Sequence, residues 1–360
     1  MRAVRAERQA DEGAAGAVDP AAVPSLILSG GDRIPAVGLG TFGSDRFSLE
    51  DIAAAVGVAL RTGYRLVDCA SVYANEHLIG PVLAATMADL GLARDEVFVI
   101  SKVWNDAHDP ADAVASVHRS LADLRLDHFD AVLIHWPFPN THERFAAPDA
   151  RNPSSRPYIH AEYMAMYRAL EGLVDAGLVR HLGVSNMTIP KLRLVLRDAR
   201  IAPSLHEMEL HPAFQQGELY QFSKDNAMVV VGYSPMGSPR RPVRDTFADD
   251  VADLEHPVVV RIAAELGVHP AEVCLKWAAQ RGHVAIPFSV KPHQILSNLA
   301  AVTENPLTPR MLNDLRAVEA NSRLIKGQVF LWEGSGDWLD LWDVDGTIPG
   351  WTGYGSTAAE

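Results

Sequence analysis

Asp68 and Tyr73 are two ionisable residues on one short turn. Asp68 closes an apolar run that reads as a buried strand, and Tyr73 follows where the chain leaves it. An Asp there is ordinarily a turn former that bonds its own backbone. Later apolar runs, however, end in comparable residues, the next in Lys102 and the one after in His135. A carboxylate, a phenol, an ammonium and an imidazole at successive strand ends form a set that can handle a proton. A phenol titrates near pH ~10 in water, so Tyr73 donates a proton at neutral pH only if its anion is stabilised. Lys102 is expected to lower the tyrosine pKa, Asp68 to hold Lys102 and keep it charged, and His135 to orient a substrate oxygen through a ring nitrogen.

The elements that must position these residues alternate regularly. A first core strand is predicted over 38–42, and further strands over 65–68, 97–102, 129–135, 179–184, 205–210, 228–234 and 283–287. Between and after them run helical patterns over 49–61, 77–90, 111–124, 161–176, 190–199, 218–226, 257–266, 270–280 and 292–302. In the second of these, Leu78, Ile79, Val82, Leu83 and Met87 fall largely on one helical face, and Gly91 ends it. Segments 25–28 and 34–37 form a hairpin across a glycine turn. Residues 137–157 and 235–255 have no sustained period and read as long loops, a length that is usually functional or disordered. Repeated βα units imply a parallel sheet, and about eight of them imply closure into a (β/α)8 TIM barrel, whose strand C-termini carry the active site. A doubly wound open sheet is the alternative, but no Gly-x-Gly-x-x-Gly opens a helix after an early strand.

The bulk properties suit one large barrel. The chain has 360 residues, 48% hydrophobic and 21% charged, with no apolar run near the ~20 residues that span a bilayer. A net charge of −13 argues against nucleic acid or an anionic membrane as a partner. Cys69 and Cys274 are too few for a disulfide framework or a metal cluster and fit a reducing cytoplasm. Residues 1–23 lack an apolar segment of the signal-peptide kind and read as a flexible tail. The catalytic barrel is expected over 24–320 and a C-terminal loop over its mouth at 321–360.

An ordered series of short strings then becomes visible: Gly38-Leu39-Gly40-Thr41-Phe42, Asp68 to Tyr73 with Asn75-Glu76, Ser101-Lys102-Val103-Trp104, Leu133-Ile134-His135-Trp136-Pro137, Gly183-Val184-Ser185-Asn186, Glu209-Leu210-His211-Pro212 and Tyr233-Ser234-Pro235-Met236-Gly237. Each is weak alone, but together they resemble the aldo-keto reductase superfamily over about residues 26–302. The resemblance implies an NAD(P)-dependent oxidoreductase, working as a monomer, that transfers hydride directly between a nicotinamide and a small carbonyl or alcohol. Its Asp-Tyr-Lys-His tetrad maps onto Asp68, Tyr73, Lys102 and His135.

For the cofactor, the resemblance implies contacts from Gly40, Thr41 and Phe42 on the first strand, from Asp68, and from Ser185 and Asn186 at the nicotinamide carboxamide. Tyr233 corresponds to the tyrosine that stacks on the ring, followed by Ser234, Pro235, Met236 and Gly237. Phe288, Ser289, Val290, Lys291, Gln294 and Asn298 correspond to the adenosine end. Two departures matter. Glu207 stands where the family usually has glutamine, and a carboxylate accepts from an amide NH₂ but cannot donate unless protonated. Phe288 and Gln294 replace the lysine and arginine that usually grip the 2′-phosphate. A helix N-terminus and Lys291 remain to attract phosphate, so the family implies NADP(H) while these replacements keep NAD(H) open.

Residues 326–351 hold Phe330, Trp332, Trp338, Trp342 and Trp351 among several aspartates. They either pack a long tail onto the barrel or, with Trp104 and Trp136 as inner wall, face the substrate. Tyr73, Trp104, His135, Trp136 and Trp332 are the expected substrate contacts. Tryptophan beside carboxylate suits a hydroxylated aldehyde or ketone of the sugar or polyol type. The competing functional class is a nicotinamide-binding barrel that reports redox state to a partner with little turnover, as some relatives do.

Overall fold

In a computed structural model, residues 16–43, 46–143, 151–239, 241 and 246–349 are described. Ser25–Ile27 (β1) and Arg33–Pro35 (β2) form an antiparallel hairpin across Gly30 and Gly31, both at positive φ. Eight strands follow: Leu39–Gly40 (β3), Leu66–Asp68 (β4), Phe98–Val103 (β5), Phe129–Ile134 (β6), Val179–Ser185 (β7), Leu205–Glu209 (β8), Val229–Tyr233 (β9) and Val284–Ile286 (β10). Each pairs in parallel with the next in chain order. The ring is completed where Gly38 N donates to Ala285 O, Ala285 N to Ala36 O and Gly40 N to Pro287 O, each at 2.9 Å. The sheet is therefore a closed (β/α)8 barrel, and the open doubly wound alternative is excluded.

The helices carry the stop and start signals visible in the sequence. In Leu49–Thr62 (α1), Ser48 accepts from Asp51 N, Glu50 and Asp51 occupy the first turn, and Gly63 ends the helix in the left-handed conformation. Its apolar face, Ile52, Ala53, Val56 and Leu60, is buried. Glu76–Leu90 (α2), Pro110–Leu124 (α3), His160–Asp175 (α4), Ile189–Asp198 (α5), Gly217–Asp225 (α6), Pro257–Leu266 (α7), Pro270–Arg281 (α8) and Pro292–Ala300 (α9) match the predicted helices to within one or two residues at most ends. Pro309–Arg316 (α10), capped by Thr308, is a further helix that the periodicity did not predict. No helix among the described residues is long and apolar enough to cross a membrane.

Strand alternation sorts the barrel interior into tiers. Leu66, Phe98, Ile100, Ala131, Leu133, Leu205, Val229, Val231, Val284 and Ile286 form an apolar inner core, stoppered at one end by Leu28 and Ile34 of the hairpin region. Two residues further along five of the inward-facing rows the chain turns polar: Asp68 after Leu66, Lys102 after Ile100, His135 after Leu133, Glu207 after Leu205 and Tyr233 after Val231. The outward-facing residues pack with the helices in a larger apolar shell.

Candidate active site

The polar tier stands at the C-terminal ends of the strands. Lys102 of β5 is fully buried and donates to Asp68 Oδ1 of β4 at 2.6 Å and to Cys69 O at 3.1 Å. Glu207 Oε1 of β8 lies 3.4 Å from the same ammonium, so Lys102 sits between two carboxylates. Tyr73 rides on the 3₁₀ turn Ser71–Tyr73 beyond β4, with its ring centroid 5.6 Å from Lys102 Nζ and 5.8 Å from the His135 ring. Trp104 lies edge-on to His135 at 5.0 Å, and the exposed ring of Phe42 is 5.2 Å from Tyr73. Asp68, Tyr73, Lys102 and His135 are thus brought together, with Trp104 beside them.

Backbone anchors fix this group. Thr41 Oγ1 donates to Asp68 O, Asn75 Nδ2 to Thr41 O, and Ser71 Oγ to Lys102 O. Asn186, at φ +56°, donates from Nδ2 to His135 O and to Ser185 Oγ, and its Oδ1 accepts from Tyr233 Oη at 2.6 Å. Asparagine tolerates that left-handed backbone better than most residues. It ties the ends of β6, β7 and β9 into one rim.

Burial dominates the electrostatics. It pulls the Lys102 ammonium down, but Asp68, Glu207 and Tyr73 push it further up, so the lysine stays charged. Burial raises the Asp68 carboxyl, and Lys102 only partly offsets this. Burial and the neighbouring charge of Asp68 push Glu207 up to about 8 against the pull of Lys102. His135 is held far below its usual range by burial and by Lys102, and is neutral. The expectation for Tyr73 needs correction. Lys102 does favour the phenolate, but burial and the charges of Asp68 and Glu207 outweigh it, and the phenol is raised above its ordinary value.

The remaining sequence-derived positions occupy the other arc of the rim. Gly40 ends β3 and the buried Thr41 follows it, Ser185 pairs in register with Glu207, and Asn186 N donates to Glu207 O. Tyr233 ends β9; Ser234, at φ +53°, accepts at Oγ from Ser238, and Pro235, Met236 and Gly237 follow, with Gly237 packed against Asp253. Beyond β10 the Phe288 ring rests on Gly43 and meets Phe47 edge-on at 5.8 Å. Ser289 Oγ accepts from Lys291 N and donates to Gln294 Oε1 at the start of α9; Val290 is half-buried, Lys291 exposed and Asn298 buried. Two buried polar atoms in the tier, Glu207 Oε2 and His135 Nδ1, have no hydrogen-bond partner among the described residues. Open valences beside Ser185, Asn186 and Tyr233 fit a polar, planar group such as a nicotinamide carboxamide.

Trp136 and Trp332 belong to an aromatic cluster against which Trp104 also packs. Trp136 is buried against Phe330 at 4.7 Å and Trp342 at 5.6 Å, and Trp332 packs in the same cluster. Asn140 Nδ2 donates to Phe330 O, and Trp342 Nε1 to Lys326 O. Trp351 lies outside the described residues.

Glu76 and Glu209 stand in the strings quoted from the sequence without an assigned role, and Asp253 was not singled out there. Glu76 is buried outside the barrel, where its carboxylate accepts from Ser101 and Ser120. Glu209 accepts from Leu324 N at 2.9 Å and Ile325 N at 3.0 Å, and its Oε1 lies 3.1 Å from His211 Nε2. Asp253 Oδ2 lies 2.7 Å from His211 Nδ1. The alternation Glu207, Glu209 along one strand was the available signal that a second inward carboxylate existed.

Comparison with known proteins agrees with this fold. The sequence model of the Aldo/keto reductase family matches residues 36–320. The Aldo/keto reductase slr0942 of Synechocystis is 39% identical over 321 residues, covering 88% of this chain and 95% of that protein. Aldo-keto reductase family 1 member A1 is 38% identical in Rattus norvegicus, covering 84% of this chain and 91% of the relative, and 36% identical in Homo sapiens, covering 84% and 92%. A barrel with this polar tier, matched along most of its length, belongs to the aldo/keto reductase family and is an NAD(P)-dependent oxidoreductase.

Proposed function

We propose that the chain reduces a small aldehyde or ketone to the alcohol, with Tyr73 as the proton donor. The observation that carries this reading is Lys102, held charged between Asp68 and Glu207 and placed beside the Tyr73 ring. A dihydronicotinamide, when bound, would supply the hydride for the carbonyl carbon. Tyr73 Oη gives its proton to the carbonyl oxygen and is left as phenolate, which the Lys102 ammonium stabilises. The phenol's raised value keeps it protonated before the reaction, and Lys102 supplies the charge that makes the proton transferable. Neutral His135 donates a hydrogen bond to the substrate oxygen from one ring nitrogen and cannot compete as a charged acid. Oxidation of an alcohol runs the same path backwards.

Ser185, Asn186, Glu207 and Tyr233 would hold the nicotinamide, and the loop after β10 with the start of α9 the adenosine phosphates. Phe288 offers an apolar ring and Gln294 is bonded to Ser289, so Lys291 is the cation left for a 2′-phosphate in this stretch. Both NADPH and NADH are therefore accepted, with weak discrimination. Trp104, Phe42 and the aromatic cluster of the C-terminal segment form a wall suited to the apolar face of a hydroxylated carbonyl compound. All these groups come from one chain, and a monomer suffices for the reaction.

The test is oxidation of NADPH and of NADH with a panel of aldehydes, followed by their absorbance, for the wild type and Tyr73→Phe. The variant should lose about 10²–10⁴-fold in turnover, the usual weight of a general acid, while binding cofactor normally. Undiminished turnover by Tyr73→Phe would remove the tyrosine from the mechanism.

A further inference from the structure

β8 sends two carboxylates into the barrel, and they are partnered unequally. Glu209 has both oxygens engaged, by His211 Nε2 and Leu324 N at one and by Ile325 N at the other. Glu207 has one oxygen 3.4 Å from Lys102 Nζ and the other, Oε2, buried with no hydrogen-bond partner among the described residues. Lys102 already has Asp68 at 2.6 Å. With Glu207 ionised, the trio Asp68, Lys102 and Glu207 carries one net negative charge inside the barrel; with Glu207 protonated it is neutral.

The titratable groups facing Glu207 are Asp68 from β4, Tyr73 from the turn after it, Lys102 from β5 and Tyr233 from β9. Both phenols are raised above their ordinary range by burial and stay neutral. Lys102 is the one cation in contact with Glu207 among the described residues. A buried carboxylate left without a full counter-charge is costly, and a cation arriving beside it is correspondingly favoured.

We propose that Glu207 makes this site discriminate between the two oxidation states of nicotinamide, its carboxylate favouring the positively charged oxidised ring over the neutral reduced ring. The inference rests on the nicotinamide reading given above. The carboxamide NH₂ is common to both states and offers Glu207 the same donor in each, so only the ring charge separates them. A glutamine here would hold the carboxamide without that preference. Because the preference needs the ionised form, and burial with Asp68 pushes Glu207 up to about 8, it should be weak at pH 6.5 and full at pH 9.5. Binding of the oxidised form below about pH 8 then releases a proton that binding of the reduced form retains.

The experiment measures dissociation constants of NADP⁺, NADPH, NAD⁺ and NADH for the full chain at both pH values by calorimetry in buffers of different ionisation enthalpy. The ratio of reduced to oxidised dissociation constants cancels the titration of the 2′-phosphate, which both states share. In the wild type this ratio should rise on the order of 10-fold between the two pH values, the effect of one partly screened charge, with proton release on binding the oxidised form. In Glu207→Gln it should stay flat within about 2-fold on the same scale. A pH-independent ratio in the wild type, or the same pH dependence in Glu207→Gln, would overturn the proposal. Binding of neither state by the wild type would instead overturn the nicotinamide reading, and this inference with it.

Discussion

Lys102 carries more of the site's electrostatic burden than any other side chain. Among the described residues its ammonium is the cation that contacts both Asp68 and Glu207 and the one that lies beside the Tyr73 ring. Replacing one member of such an arrangement is worse than replacing all of it, because the charges left behind have no partner. Lys102→Met should therefore lower unfolding stability by about 3–5 kcal/mol, read by urea denaturation, and abolish carbonyl reduction. Adding Asp68→Asn and Glu207→Gln should recover most of the stability and none of the activity. If the triple variant is as unstable as the single one, the loss is one of packing and not of charge. At this scale the sequence was informative where residues stand at strand ends: Asp68, Tyr73, Lys102 and His135 were all readable. The direction of the Tyr73 shift was not, since it depends on how deeply the turn is covered and on a third charge, Glu207, arriving from the far side of the barrel.

Strands and helices explain the second buried cluster. β8 presents Glu207 and Glu209 two residues apart on its inner face, and the following turn brings His211 back against Glu209 while the segment before α7 supplies Asp253. Burial alone would lower His211, but the two carboxylates push it up to about 9. A histidine raised in the folded state above its ordinary value near ~6.5 adds stability that is complete below that value and is lost as pH rises through about 9. The wild type should accordingly melt at a lower temperature at pH 9.5 than at pH 6.5 through this group. Asp253→Asn should flatten that part of the profile and reduce the melting temperature most at the lower pH; an unaltered profile would show that His211 is not the group responsible. Element types and most boundaries were legible because apolar periodicity and Gly or Pro punctuation agree. α10 was missed because a helix that buries only Met311 and Leu315 has too little apolar face to show a period, although Thr308 followed by Pro309 marked its start.

For the molecule as a whole, closure of the barrel followed from counting strand and helix units, since eight parallel strands leave no edge to protect. The attachment of the C-terminal segment did not, because it is held by contacts between residues far apart in sequence. Phe330 fills the space between Trp104, Trp136 and Phe138, and Lys191 pairs with Asp343 inside the protein. Phe330→Ala should cost about 3–5 kcal/mol in denaturant unfolding if the segment melts together with the barrel. A small or absent change would mean that the segment detaches in a separate, earlier transition.

The bonds from Leu324 N and Ile325 N to Glu209 have a further consequence for time rather than energy. Amides outside regular secondary structure usually exchange their hydrogens for deuterium quickly, but these two are bound to a carboxylate on a barrel strand. Their exchange reports the release of the whole C-terminal segment from β8. If that segment opens to admit substrate, these amides will exchange faster than those of β8 while the barrel stays closed, making them a clock for the opening.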